Sequence, residues 1–173
     1  MEVADPQAWL PSALAVRLGT AALTLGLCRS PRACRWAAFG GSLTASLIMG
    51  ALGAVVVWSG ASTAGVLLTH GATGFALSYA VDGLCGWFLI VLAVLGAPIA
   101  LYSVGYIANR IAEGRTAFVG IAFNVLMGAV ELVLVADGVI GFLFGWELMT
   151  LTTAALVATE HEKRQSRRAA DLY

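Results

Sequence analysis

Residues 138–159 read GVIGFLFGWELMTLTTAALVAT, a run in which Glu147 is the single charged side chain. A membrane-spanning helix needs about 20 consecutive, mostly apolar residues, and this run has that length. An acidic side chain at the centre of such a helix costs roughly 2.5–3.5 kcal/mol on insertion scales, so acids there are rare and usually functional. Glu147 lies near the midpoint of the run and therefore indicates proton handling inside a membrane.

Four more apolar runs precede this one, and the composition as a whole fits a membrane protein. The chain is 60% hydrophobic and only 12% charged, with a mean hydropathy of +0.86, whereas soluble domains average about 25% charged residues. We predict an all-α integral membrane protein in which residues 1–173 form a single membrane domain. The five predicted helices span residues 8–28, 37–58, 85–107, 116–136 and 138–159.

The basic residues alternate between the connections of these predicted helices. Nine of the ten Lys and Arg residues lie in every second connection or after the fifth helix, and the other connections have none. Cytoplasmic connections are enriched in Lys and Arg, so the basic side is predicted to be cytoplasmic, with the N-terminus outside and the C-terminus in the cytoplasm. The nine residues are Arg29, Arg32, Arg35, Arg110, Arg115, Lys163, Arg164, Arg167 and Arg168.

The predicted outer connection, residues 59–84, is the only long one. Residues 65–69 and 74–81 are rich in residues that favour strands, and they flank the sequence His70-Gly71-Ala72-Thr73. Two such runs around a turn that contains glycine predict a β-hairpin. The alternative is an apolar surface loop that rests on the helices.

Two glutamates and one threonine are the candidate proton-pathway residues. Glu147 is predicted to face protein, toward helix four or toward partner helices beyond the fifth, rather than lipid. Thr150, on the same face of the helix, is positioned to hydrogen-bond its carboxyl group. The alternative is that Glu147 is a structural acid bonded to a neighbouring helix. Glu131 shares a face with Asn124 and Gly128, which indicates either a polar stripe against another helix or an acid that reaches the outer interface.

Arg17 interrupts the first apolar run, and we expect its long side chain to reach toward a membrane surface rather than form a buried ion pair. Gly141 and Gly145 form a GxxxG pattern, which is typical of close helix packing but is a weak signal in membrane helices. The sequence contains no nucleotide-binding loop, catalytic triad, metal-ligand cluster or basic stripe. We therefore expect no cofactor, no metal site and no nucleic-acid partner.

Residues 136–152, ADGVIGFLFGWELMTLT, closely resemble the Ala-Asp-Asn…Phe-Leu…Trp-Glu-Leu-Met-Ser-Leu-Ser signature of antiporter-like membrane subunits. The Trp-Glu-Leu-Met form most resembles the branch of hydrogenase-4 component B and formate hydrogenlyase subunit 3. Complex I antiporter-like subunits and multisubunit sodium/proton antiporters share it more loosely. Residues 81–88 and 102–107 resemble the entry to and exit from the family's third helix, and residues 160–173 resemble its run into a sixth. Residues 1–81 agree with the family only in topology.

The resemblance implies a proton-translocating subunit of a membrane-bound oxidoreductase complex in a bacterial inner membrane, with no redox centre of its own. Glu147 matches the family's glutamate in helix five, which works with a lysine in helix seven. Because family members have about fourteen helices, this chain is expected to be an N-terminal portion. The implied partners are the other membrane subunits, the lipid bilayer and a separately encoded remainder with the later helices.

Three functions remain open at this point. The first is the proton-translocating subunit of a hydrogenase-4-like, formate-hydrogenlyase-like or complex I-like assembly. The second is a subunit of a multisubunit cation/proton antiporter that has no redox partner. The third is a non-transporting remnant or assembly protein, which the absence of a lysine within any predicted helix favours.

Overall fold

The computed structural model describes residues 8–72, 74–111 and 113–160. In these ranges the chain forms five α-helices and one antiparallel pair of strands. The elements are α1 (Trp9–Gly26), α2 (Pro31–Ser59), β1 (Thr63–His70), β2 (Phe75–Val81), α3 (Gly83–Arg110), α4 (Thr116–Val135) and α5 (Val139–Val157), with 3-10 turns at Glu113–Arg115 and Ala158–Glu160. The predicted run toward a sixth helix falls mostly on residues 161–173, outside the described residues.

Four of the helices, α2 to α5, are long and apolar enough to cross a membrane. This finding matches four of the five predicted spans and is compatible with a membrane protein. The helix α1 is not among them: it has 18 residues, which corresponds to about 27 Å, and it contains Pro11, Ser12 and Arg17.

The helix α2 begins at Pro31, six residues before the predicted start at residue 37. Proline suits the first position of a helix because its φ angle is already helical and its missing N–H would have no intrahelical partner there. As a result, Arg32 and Arg35 lie in the first turns of α2 and not in the connection before it. The helix α3 begins after Asp82, whose side chain accepts a hydrogen bond from the Cys85 backbone N–H at 2.8 Å.

The predicted hairpin is confirmed. β1 and β2 pair antiparallel, with Thr63 opposite Val81 and an irregularity between Val66 and Leu68. The hairpin also bonds to the connection between α4 and α5, where the Asp137 backbone N–H donates to the Ser78 carbonyl oxygen at 3.2 Å. The hairpin therefore lies at the end of the bundle where α2 ends and α3 begins. We call this the hairpin end. The opposite end, where α1 joins α2, is the basic end.

Close helix packing depends on glycines at particular positions. The helix α2 packs against α1, α3 and α4. A Cβ atom on Gly53 of α2 would lie 2.5 Å from the carbonyl oxygen of Gly86 in α3. On α5, a Cβ on Gly145 would lie 3.1 Å from Val133 Cγ2 of α4, so the GxxxG pattern does mark a close helix contact.

Two apolar clusters form the core. The cluster at the hairpin end includes Leu10, Met49, Leu52 and Val135, and the cluster at the basic end includes Phe39, Ala38, Ala100 and Ile107. Along α2, the stretch between Phe39 and Met49 separates the two clusters. The buried polar residues described next lie in that layer.

Candidate functional site: a buried ion pair between α1 and α4

Arg17 of α1 and Glu131 of α4 form a buried, two-pronged ion pair. Arg17 Nε donates to Glu131 Oε2 at 2.7 Å, and Arg17 Nη2 donates to Glu131 Oε1 at 2.5 Å. The side chains are only 3% and 1% exposed. Parallel N–H···O bonds of this kind are stronger and more directional than a single contact between two charges. The pair therefore fixes the orientation of α1 relative to α4.

Two serines of α2 complete the coordination of the guanidinium group. Arg17 Nη1 donates to Ser42 Oγ and Arg17 Nη2 donates to Ser46 Oγ, each at 3.1 Å. The two serines are four residues apart, so they lie one above the other on the same face of the helix. The guanidinium of α1 is thus bound by two other helices, through one charged acceptor on α4 and two neutral acceptors on α2.

The arginine side chain passes beside Gly128 of α4. A Cβ atom there would lie 3.5 Å from Arg17 Cδ, which is an ordinary van der Waals distance. Gly128 is three residues from Glu131 and four from Asn124, which puts all three residues on one face of α4. The polar stripe predicted from their spacing is confirmed, and it faces α1 and α2.

The expectation that Arg17 reaches a membrane surface is wrong. Arg17 is buried, and its guanidinium is bonded to Glu131 between α1, α2 and α4. The alternative in which Glu131 reaches the outer interface is wrong for the same reason, since it too is 1% exposed. The physical cause is that a bidentate carboxylate and two hydroxyl groups satisfy the guanidinium where it lies, so neither charge has to reach water.

Glu147 of α5 lies on a different surface. It is exposed in the described chain, and no hydrogen bond or ion pair joins it to another described residue. Glu147 is two residues, or about 200° around the helix, from Gly145, which packs on α4. It therefore points away from α4. Of the two predicted orientations, the one toward α4 is wrong, and the one toward further helices stays a prediction. Of the α5 residues, only Gly141 and Gly145 are buried.

Thr150 does not bind the Glu147 carboxyl group in this structure. Its hydroxyl donates to the backbone carbonyl oxygen of Trp146, one turn earlier, at 3.0 Å. Threonine hydroxyls in helices commonly bond this way, because the carbonyl four residues back is already within reach. The three predicted pathway residues are thus divided: Glu131 is in the buried cluster, and Glu147 and Thr150 are on α5 outside it.

Sequence reasoning missed Ser42, Ser46 and the role of Arg17. One signal was available: the serines occur four residues apart on one face of a helix, in its uncharged part, and each of α1 and α4 contains one ionisable residue. Charged residues in membrane helices usually pair with one another inside the bundle. That rule favours Arg17 with Glu131 over two separate side chains at the surface.

Chemically, the cluster can hold a carboxylate and a guanidinium together in an apolar setting, and it offers the guanidinium other acceptors when the carboxylate becomes neutral. Within the described ranges, no three His, Cys, Asp or Glu residues come close enough together to hold a metal ion.

No protein-family model matches this chain. Two Mycobacterium tuberculosis proteins, Uncharacterized protein MT0090 and Uncharacterized protein Rv0083, are each 35% identical to it over 89 residues. That segment is 51% of this chain but only 13% of each relative, so the relatives are several times longer than the matched segment. Their names state no activity.

Proposed function

We propose that this chain is part of a proton-translocating membrane subunit of an oxidoreductase complex similar to hydrogenase-4, formate hydrogenlyase or complex I. The observation that carries the proposal is the buried Arg17–Glu131 pair between apolar helices. Ionisable residues inside membrane bundles are costly, and they commonly mark proton relays. In this proposal all five helices cross a bacterial inner membrane, with the hairpin end outside and the basic end in the cytoplasm.

Glu147 has the second role in the proposal. It stands on the open face of α5, where further helices of the complete subunit or its neighbours would cover it. The resemblance around Trp146-Glu147-Leu148-Met149 supports a proton-carrying role for this acid. The greater length of the two mycobacterial relatives is compatible with such additional helices. A cation/proton antiporter would use the same two acids, so proton uptake measured with and without sodium ions separates the two functions.

The proposal is tested by neutralising each acid without changing its shape. Glu147→Gln and Glu131→Gln are compared for redox-driven proton uptake into inverted membrane vesicles at equal abundance of the complex. Both variants should lose most of the proton uptake, because an amide accepts hydrogen bonds but does not release a proton near neutral pH.

The matched control is Glu113→Gln, since Glu113 is exposed in the turn before α4 and should leave uptake unchanged. Normal uptake by both test variants would remove the proposed function. Glu147 and Glu131 would then be structural acids of a protein that does not transport protons.

A further inference from the structure

An acceptor without a partner lies two helical turns from Glu131, on the same face of α4. Asn124 is 1% exposed, and its Nδ2 donates to the carbonyl oxygens of Ala38 and Gly120, both at 2.9 Å. Its Oδ1 is buried and has no hydrogen-bond partner among the described residues. A buried polar atom left unpaired costs free energy, and native structures leave few of them. A second conformation of the site, in which this oxygen accepts a hydrogen bond, would explain why an unpaired acceptor is buried here.

The Arg17 side chain runs along α4 between Asn124 and Glu131. Its Cδ passes over Gly128, which is one turn from each of the other two residues along α4. A groove of about 350 Å³ beside it is lined by Arg17, Gly128 and Asn124, among others. The space in the groove leaves the guanidinium room to move along α4.

The acceptors around Arg17 form a series toward Asn124. On α2, Ser46 and Ser42 accept bonds from the guanidinium, and Ala38, one turn further, accepts the bond from Asn124. A guanidinium has five N–H groups, and the bonds to Glu131, Ser42 and Ser46 use four of them. The remaining N–H is on Nη1, the nitrogen bound to Ser42, and it is available to an acceptor on that side.

We propose that Asn124 Oδ1 is a second binding position for the Arg17 guanidinium, occupied when Glu131 is protonated. This inference rests on the proposed function, because it supposes that Glu131 takes up a proton. The proton neutralises the carboxylate, and the guanidinium keeps its charge and moves from Glu131 along α4 to Asn124, whose Cα lies two helical turns, or roughly 10 Å, from that of Glu131. When the proton leaves, the carboxylate draws the guanidinium back.

No other charged side chain on these helices competes for the arginine. Arg17 is the only ionisable residue of α1, and Glu131 is the only one of α4. The helix α2 contributes Arg32, Cys34 and Arg35, all in its first turns at the basic end. The movement is therefore controlled by Glu131.

A double-mutant cycle on the full chain in lipid nanodiscs tests the proposal, with Glu131→Gln standing for the protonated acid. Asn124→Leu is introduced into the wild type and into Glu131→Gln, and the equilibrium constant for unfolding is measured for each. The Asn124 bonds to Ala38 and Gly120 are lost in both backgrounds, so their contribution cancels when the two effects are compared. If Arg17 moves to Asn124, the loss should be about tenfold larger or more in the Glu131→Gln background, since a bond to a charged donor is then lost as well.

Asn109→Leu is the matched control, because Asn109 of α3 makes the same kind of bond, to the Gly105 carbonyl oxygen, on an exposed surface. It should have equal effects in both backgrounds. Equal effects of Asn124→Leu in the two backgrounds would overturn the proposal, whether water or nothing occupies the site.

A second variant covers the case in which Glu131→Gln does not fold. Asn124→Asp places a carboxylate at the second position and should restore folding to Glu131→Gln, whereas Asn109→Asp should not. Failure of Asn124→Asp to restore it would also overturn the proposal. Both measurements report stability and not transport, so they can succeed or fail separately from the vesicle assay of the proposed function.

Discussion

Arg17 Nη2 and Glu131 Oε1 are 2.5 Å apart although 114 residues separate them in sequence. Their bond joins the first helix of the described chain to the fourth, in a layer between two apolar clusters. A buried ion pair is weak evidence for stability by itself, because the desolvation of both charges offsets much of their attraction. Its position and geometry are consistent with a functional role that uses the charge of both groups.

Removing one member of the pair should be far more harmful than removing both. Arg17→Leu leaves Glu131 buried without its counter-charge, and loss of one partner of a buried pair costs about 3–5 kcal/mol. The double variant Arg17→Leu/Glu131→Leu should recover most of that loss. Thermal unfolding in detergent, followed by circular dichroism, measures both, with Arg29→Leu as the exposed control. A double variant as unstable as the single one would show that the unpaired charge is not the cause of the lost stability.

Ser42 should contribute to stability through Arg17. Ser42→Ala removes a neutral acceptor from a charged donor, and hydrogen bonds to charged groups contribute about 1.5–3 kcal/mol. Ser12→Ala is the matched control, because Ser12 is exposed and its hydroxyl donates only to the Ala8 carbonyl oxygen. The same unfolding assay should show a clear loss for Ser42→Ala and little change for Ser12→Ala. In the Arg17→Leu background, Ser42→Ala should lose most of its effect.

The contact between α2 and α3 should be disrupted by a single methyl group. In Gly53→Ala the new Cβ would lie 2.5 Å from the Gly86 carbonyl oxygen, whereas in Gly40→Ala nothing lies within 4 Å. Both positions are in α2, so alanine's higher helix propensity acts equally on each. We expect Gly53→Ala to unfold at a lower temperature than the wild type and Gly40→Ala to unfold at the same temperature or higher. Equal midpoints for the two variants would mean that the two helices separate easily.

Reporter insertion should give opposite results at the two ends of the bundle. A reporter active only in the cytoplasm is placed at Gly114, in the turn between α3 and α4, or at Gly71, in the hairpin turn. The basic end should be cytoplasmic because Arg29, Arg32, Arg35 and Arg115 lie in or next to its connections, so Gly114 should give signal and Gly71 should not. Signal at Gly71 alone would reverse the proposed orientation.

The existence and approximate bounds of all five helices followed from the sequence. Long runs with few or no charges predict helices whatever surrounds them, because backbone groups in such runs are satisfied within the helix itself. The hairpin at residues 63–81 also followed from a local pattern of strand-forming residues around a turn. The start of α2 at Pro31 was missed because the arginines after it were interpreted as part of a connection.

Local pattern alone identified Glu131 and Glu147 as unusual residues, since an acid in an apolar run is conspicuous wherever the helix is placed. Only the tertiary structure decided which side chain each acid meets. That choice depends on how α1, α2 and α4 rotate against one another. Close contacts limit the rotation, such as that of Gly120 in α4, where a Cβ would lie 2.6 Å from Ala38 Cβ in α2. The sequence therefore determined the charges within the helices, and helix packing decided that Glu131 is paired with Arg17 and that Glu147 faces away from α4.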